Sequence, residues 1–295
     1  MREEIRKIQS LMESAEYVTD APVATSVYLA QSLRKPLLIE GHAGVGKTEV
    51  AKVMARMLDT NLIRLQCYEG LDASAALYEW NYQKQLLHIK LDEGAHKSVD
   101  QGEHEIFSEA FLLKRPLLQA ITQERSPVLL VDEVDRADEE FEAFMLEVFS
   151  DWQVTIPEIG TIKATHPPYV ILTSNRTREL SDALRRRCLY LWIDYPPFDK
   201  ELRIVERKVP GINARLATEI SRFMESLRRV RLAKVPGVAE TLDWAQALAS
   251  LHAEHLDEEI VTETLGCILK DADDIKRFRA EVGKSGLAPF LQVPG

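Results

Sequence analysis

Two kinds of hydrophobic pattern alternate along the first two thirds of the chain. Short runs of consecutive apolar residues, each ending in polar residues or a turn, predict buried strands of a parallel sheet. Between these runs, apolar residues recur every three or four positions, which predicts amphipathic helices. The alternation indicates an α/β domain with a five-stranded parallel sheet, whose strands are predicted at 37–39, 61–66, 128–131, 169–175 and 189–193.

Two further stretches alternate with period two and predict hairpins inserted between the strands. The first, at about 77–90, has its second strand near 87–89 and carries Trp80 and Tyr82 at its tip. These two aromatic side chains either contact a protein partner or pack in the core, and the pattern alone is consistent with both. The second hairpin is predicted at about 152–164.

Only helical periodicity follows the segment Tyr195-Pro196-Pro197. The apolar stripes beyond it, such as Ile220, Phe223 and Leu227, are typical of helical core. The two prolines therefore predict a boundary between an α/β domain at 1–195 and an all-helical domain at 196–295.

Composition and charge narrow the class of protein. The 295 residues contain no run of 18 apolar residues, which argues against a membrane span. The three cysteines are far apart and the charged N-terminus lacks a signal-peptide pattern, so we expect a cytoplasmic protein. A net charge of −10 repels nucleic-acid phosphate and disfavours a nucleic-acid partner.

The strongest chemical signal is Gly41-His42-Ala43-Gly44-Val45-Gly46-Lys47-Thr48, which has the spacing G-x-x-x-x-G-K-[ST] between a predicted strand and a predicted helix. The backbone N–H groups of such a loop form an anion-binding nest at a helix N-terminus, so the predicted ligand is a polyphosphate. We expect residues 41–49, including Glu49, to bind the nucleotide. Lys47 would contact the β- and γ-phosphates, and the Thr48 hydroxyl would hold Mg²⁺.

Two other predicted strands end in residues that suit phosphate chemistry. Asp132 and Glu133 follow the apolar run at 128–131, and Asn175 ends the next such run. Because ligands bind beyond the carboxyl ends of parallel strands, Asp132 is predicted to hold Mg²⁺ and Glu133 to polarise the attacking water. Asn175 would orient that water or a γ-phosphate oxygen. Acids in such a place also cap helices, and Asp138 is predicted to cap the helix that follows.

Taken in order, the phosphate loop, the two polar strand ends, a short helix ending in Arg185-Arg186-Arg187 and the helical tail resemble an AAA+ ATPase. The two predicted hairpins make the chain similar to the MoxR family, AAA+ proteins that act as chaperones in the maturation of enzyme complexes. The segments 65–72, 77–82 and 135–138 look closest to the branch that accompanies molybdenum-containing carbon monoxide dehydrogenase.

This resemblance implies a P-loop AAA+ core with two hairpin insertions over 1–195 and a helical lid over 196–295. It also implies a ring, usually a homo-hexamer, with ATP and Mg²⁺ at each subunit interface. The implied partners are a client metalloenzyme and a protein with a von Willebrand factor A domain.

By the same resemblance, Asn175 is the first sensor and Arg187, with Arg186 second, is the arginine finger that acts on a neighbouring subunit's ATP. A solvated surface cluster is the alternative for these arginines. In one respect the chain departs from the family: the lid helix starts at Gly237-Val238-Ala239-Glu240-Thr241, without the arginine that is usual there.

The leading expectation is a Mg²⁺-dependent ATPase ring that remodels or matures a metalloenzyme. One alternative is a nucleic-acid motor or restriction component on the same scaffold, which would show a salt-dependent affinity for DNA. Another is a nucleotide-locked scaffold with negligible turnover, against which Glu133 and Asn175 argue.

Overall fold

The structure is a computed structural model that describes residues 2–92 and 105–291. It divides into two compact units. The first comprises Met1–Ile8, Ala21–Glu40 and Ala51–Leu191, and the second comprises Gln9–Asp20, Gly41–Val50 and Trp192–Gly295. The phosphate loop is therefore grouped with the second unit, and the predicted division at residue 195 stays a prediction.

The strands of the described residues are β1 (Leu37–Gly41), β2 (Leu62–Gln66), β3 (Tyr78–Trp80), β4 (Leu112–Lys114), β5 (Val128–Asp132), β6 (Gln153–Ile156), β7 (Gly160–Lys163), β8 (Tyr169–Ser174) and β9 (Leu189–Ile193). Five of them form one sheet in the order β2-β5-β8-β1-β9, which confirms the predicted α/β fold. The pairs β2–β5, β5–β8 and β8–β1 are parallel. Strand β5 is buried at every position, as its uninterrupted apolar run requires.

The helices are α1 (Arg2–Ser14), α2 (Ala21–Leu33), α3 (Lys47–Met57), α4 (Ala73–Leu77), α5 (Tyr82–Asp92), α6 (Pro116–Ile121), α7 (Glu139–Asp151), α8 (Asp182–Arg187), α9 (Phe198–Lys208), α10 (Ala214–Leu227), α11 (Val238–Ser250), α12 (Glu258–Ile268), α13 (Ala272–Ser285) and α14 (Ala288–Leu291). Asp138 caps α7, as predicted, by accepting a hydrogen bond from Phe141 N at 2.8 Å. Among the helices that the structure describes, none has the length and apolar content needed to cross a membrane.

Both small antiparallel ribbons exist, but the first is built differently from the prediction. Strands β6 and β7 form the hairpin expected at 152–164. Strand β3 instead pairs with β4, and the residues near 87–89 belong to α5. A strand of three residues whose partner follows a complete helix leaves no local period in the sequence, which explains the error.

The two aromatic residues of the first ribbon differ in burial. Trp80 is only 7% exposed, and its ring packs edge-on against Phe107 with 5.2 Å between centroids. Tyr82 begins α5 and is 63% exposed. Trp80 is therefore a packing residue, and only Tyr82 is free to meet a partner.

The helical part of the second unit has its own core, as the periodic pattern predicts. The ring of Phe223 lies 4.9 Å from that of Trp244 and 5.6 Å from that of Phe278, between centroids. All three side chains are fully buried. Offset and edge-to-face ring pairs of this kind add to the stabilisation from burial.

Candidate nucleotide-binding and hydrolysis site

Two glycines give the phosphate loop its shape. Gly44 and Gly46 have φ values of +74° and +93°, a region of backbone conformation that favours glycine. Left-handed residues of this kind turn successive backbone N–H groups towards one side and form a concave anion site. Helix α3 starts directly after them at Lys47, so the loop also leads into a helix N-terminus. The loop thus has the donors that a polyphosphate needs.

The side chain of Lys47 is folded onto the loop itself. Its Nζ donates hydrogen bonds to the carbonyl oxygens of Gly41, at 2.9 Å, and of His42, at 2.6 Å. The residue is 7% exposed, so these carbonyls replace the water that the ammonium group would otherwise bind. A phosphate oxygen, which carries charge, is a stronger acceptor for the same three N–H donors.

Neighbouring aromatic rings hold the beginning of the loop. The His42 ring stacks on Tyr195, with 4.6 Å between centroids and 10° between planes, and meets Trp192 edge-on at 5.6 Å. The guanidinium of Arg228 lies 5.0 Å from the centroid of the Tyr195 ring. A Cβ atom at Gly41 would lie 2.1 Å from the Ile193 carbonyl oxygen, so only glycine fits there.

Helix α11 starts against the same loop. Ala239 N donates to Gly44 O at 3.1 Å, and a Cβ atom at Gly237 would lie 2.6 Å from Ala43 O. The Glu240 carboxylate caps the helix by accepting a hydrogen bond from Gly237 N at 2.9 Å. A carboxylate is therefore the charged group at this helix start, where the resemblance leads one to expect an arginine.

In the first unit, Asp132 ends β5 as a buried carboxylate that accepts hydrogen bonds from neighbouring side chains. Its Oδ1 accepts from Thr173 Oγ1. Its Oδ2 accepts from Arg64 Nε at 3.0 Å and from Arg64 Nη2 at 2.5 Å. The guanidinium compensates the charge that burial would otherwise disfavour, and Arg64 itself is about half exposed.

Glu133 follows with an unusual backbone. Its φ of +55° places a non-glycine residue in the left-handed region, a conformation that surrounding contacts must hold. Glu133 N donates to Thr173 Oγ1 at 3.0 Å, so one hydroxyl contacts both acids of this strand end. The Glu133 carboxylate accepts a hydrogen bond from Gln66 Nε2 at 3.2 Å and forms an ion pair with Arg136, whose Nε lies 2.9 Å away.

Asn175 is held through its backbone by Asp135, a buried residue that the sequence reasoning did not assign to the site. Asn175 N lies 3.2 Å from each oxygen of the Asp135 carboxylate. The same carboxylate accepts from Thr177 N at 2.8 Å and from Thr177 Oγ1 at 2.7 Å. In the sequence, Asp135 could have been noticed because its carboxylate lies between the apolar residues Val134 and Ala137, both of which are buried.

Arg185, Arg186 and Arg187 form the last turn of α8 and are exposed. Arg186 lies 3.8 Å from Asp182 in a fully solvated pair, which contributes little to stability. This exposure is consistent both with an arginine finger that acts on another subunit and with a solvated surface cluster. The structure thus places Asp132, Glu133 and Asn175 beside one another in the first unit, whereas Lys47 and Thr48 are described in the second.

Two cysteine thiols, one buried and one partly buried, have raised pKa values. Burial, assisted by the charge of Asp132, raises the pKa of the Cys67 thiol to about 12, and burial alone raises that of Cys188 to about 12. Both thiols are therefore protonated near pH 7, the form that is the weaker nucleophile. Within 2–92 and 105–291, no cluster of three His, Cys, Asp or Glu residues forms a metal site.

Several known proteins are similar to this chain. The denitrification regulatory protein NirQ of Stutzerimonas stutzeri is 24% identical over 213 residues, which are 70% of this chain and 68% of NirQ. An uncharacterised protein of Staphylococcus haemolyticus is 25% identical over 204 residues, 67% of this chain and 70% of that protein. A Thermotoga maritima RuvB variant shares the fold, with a TM-score of 0.51 at 18% identity over 93% of this chain and 77% of RuvB.

The family profile described as AAA domain (dynein-related subfamily) matches residues 36–188. The matched region runs from the residue before β1 to the end of α8 and includes the phosphate loop, both acidic strand-end residues and Asn175. Because this region is more than half of the chain, the protein belongs to the dynein-related subfamily of AAA domain proteins.

Proposed function

We propose that the protein is a Mg²⁺-dependent ATPase of the MoxR type, which works as a ring and uses ATP hydrolysis to remodel or mature a client metalloenzyme. The observation that carries the ATPase assignment is the Thr173 hydroxyl, which contacts Asp132 Oδ1 and Glu133 N. This single contact fixes a candidate metal ligand and a candidate general base beside each other. Membership of the AAA domain family supports the same activity.

In this proposal the loop at 41–49 binds the phosphates, and Lys47 exchanges its carbonyl partners for the β- and γ-phosphates. Glu133 accepts the proton of the attacking water, and Asn175 orients that water. Arg187, with Arg186 second, comes from the neighbouring subunit and neutralises γ-phosphate charge in the transition state. Such a finger contributes about 10³–10⁵ in rate in related phosphoryl transfers.

Thr48 and Asp132 are the residues proposed to hold Mg²⁺. A hydroxyl and a carboxylate are oxygen donors, which Mg²⁺ prefers. The chemistry that the ion supplies when bound is neutralisation of charge on the β- and γ-phosphates.

The proposals for the client and the assembly draw on a relative and on the family resemblance. NirQ is by name a denitrification regulatory protein, which supports a regulatory role for this chain. Segments 65–72, 77–82 and 135–138 support the finer assignment to the branch that accompanies carbon monoxide dehydrogenase. A homo-hexamer, a von Willebrand factor A domain partner and a cytoplasmic location complete the proposal, and the net charge of −10 favours a protein client over DNA.

The decisive experiment compares ATP binding and hydrolysis in three variants. Lys47→Ala is expected to lose nucleotide binding, because it removes the cation of the loop. Glu133→Gln should retain binding, measured by calorimetry, and slow hydrolysis by about 10²–10⁴. Glu139→Gln is the matched control, because Glu139 is an exposed carboxylate at the start of α7. Hydrolysis at the wild-type rate in Glu133→Gln would refute the assignment of the base.

A further inference from the structure

Glu142 is a charged residue that is completely buried, and none of the roles above uses it. It lies in the first turn of α7. Its Oε1 accepts a hydrogen bond from Arg178 Nη2, and its Oε2 accepts from Ser181 N at 2.9 Å. A buried carboxylate requires partners of this kind. Both partners lie in the segment that connects Asn175 with α8.

Arg178 is attached to the same place by further hydrogen bonds. Its Nε donates to the carbonyl oxygen of Ala137 at 2.8 Å, and its Nη2 also contacts that oxygen. Its Nη1 donates to the carbonyl of Glu179 at 2.9 Å. The guanidinium is planar, so these contacts hold it in one orientation between Ala137 and Glu142.

The second partner of Glu142 is the residue at which α8 begins. Ser181 Oγ accepts from Leu184 N at 3.3 Å, and the Leu184 side chain is completely buried. A helix of six residues has little stability of its own, so the contacts of its first turn determine its direction. The exposed arginines occupy its last turn.

We infer that Glu142, paired with Arg178, is a positioning residue that sets the direction in which α8 presents Arg186 and Arg187 to the ATP of the neighbouring subunit. This inference rests on the proposed function. Glu142 lies nine residues after Glu133 on the same continuous segment. The segment 133–142 therefore carries the proposed base, which acts on the subunit's own ATP. The same segment also holds the start of α8, whose arginines are proposed to act on the neighbour's ATP.

Subunit mixing tests the inference. Glu142→Gln keeps an oxygen acceptor for Ser181 N but removes the charge opposite Arg178. We expect unchanged nucleotide binding and at least a tenfold loss of ATPase activity. Mixed with Lys47→Ala subunits, which retain intact arginines, Glu142→Gln subunits should recover activity several-fold above the sum of the separate rates. Mixed with the double variant Arg186→Ala/Arg187→Ala, they should not recover.

Asp274→Asn is the matched control, because Asp274 is a buried carboxylate of the helical part that accepts hydrogen bonds from Ala233 N and Lys234 N. It should retain full ATPase activity. If Glu142→Gln does not fold, Arg178→Lys, which keeps a cation opposite Glu142, replaces it in the same mixtures.

The outcomes separate the inference from the proposed function. A wild-type protein without Mg²⁺-dependent ATPase activity would refute the proposed function. An active wild type in which Glu142→Gln has the full rate would overturn the inference alone. The inference would also be overturned if Glu142→Gln lost activity and did not regain it when mixed with Lys47→Ala subunits. Native mass spectrometry must show that the rings in this mixture contain both variants.

Discussion

Arg64 on β2 donates two hydrogen bonds to one oxygen of Asp132 at the end of β5, from Nε at 3.0 Å and from Nη2 at 2.5 Å. A protein cation thus contacts one oxygen of the carboxylate that is proposed to hold Mg²⁺. Because Arg64 is about half exposed, its guanidinium can leave Asp132 and be solvated by water. We therefore expect Arg64 and the proposed Mg²⁺ ion to compete for this carboxylate.

Removing Arg64 is expected to lower the Mg²⁺ concentration that gives half-maximal ATPase activity. An ion pair with one exposed partner contributes about 1 kcal/mol at most, which corresponds to about a fivefold change in that concentration. A Mg²⁺ titration of Arg64→Ala measures the shift, and Arg64→Lys, which keeps the charge, should shift less. A higher Mg²⁺ requirement in Arg64→Ala would show that Arg64 supports the metal site.

Asp135→Asn should impair hydrolysis without changing nucleotide affinity. The asparagine amide can keep its one oxygen towards Thr177, but its NH₂ group then faces Asn175 N, which lies 3.2 Å from the other carboxylate oxygen. Two donors would oppose each other there, at a cost of about 1–3 kcal/mol. We expect kcat to fall at least tenfold with the dissociation constant for ATP unchanged. Asp138→Asn is the control, because asparagine caps a helix as well as aspartate does. A normal kcat in Asp135→Asn would disprove the role.

The sequence predicts those features of the site that leave a linear pattern. The apolar runs before Asp132 and Asn175 predict strands because both are buried on two faces, and the glycine spacing predicts the loop. Asp135 and Glu142 leave no such pattern. Each resembles an ordinary acid near a helix start, and only the fold shows that its partners come from the segment after β8.

Because Trp80 and Tyr82 differ in burial, their replacement should change the free energy of unfolding by different amounts. Trp80→Ala is expected to destabilise the protein by about 3–5 kcal/mol, because it leaves a cavity beside Phe107. Tyr82→Ala should change the free energy of unfolding by no more than about 0.5 kcal/mol, because Tyr82 is 63% exposed. Denaturant unfolding measures both values. Loss of client activation in Tyr82→Ala without loss of stability would assign Tyr82 to partner binding.

The buried thiols predict how stability depends on pH in the alkaline range. The pKa of Cys67 is about 12 in the folded protein and about 8.5 in an unfolded chain, so above about pH 8.5 only the unfolded state has lost the proton. Its contribution to stability is therefore complete below pH 8.5 and declines as the pH rises towards 12. Denaturation midpoints between pH 8 and 10.5 should fall less steeply in Cys67→Ala than in the wild type.

The edge-on contact between Trp192 and His42, with 5.6 Å between ring centroids, has a practical consequence. His42 is the second residue of the phosphate loop, and the indole of Trp192 is 37% exposed. Indole emission responds to a change of neighbouring charge and solvent, so entry of a nucleotide into the loop should alter the fluorescence of Trp192. Replacing Trp80, Trp152 and Trp244, the other tryptophans of the chain, by phenylalanine leaves this single emitter. With this response, Trp192 would report occupancy of the loop, and nucleotide exchange could be followed in real time without a labelled nucleotide.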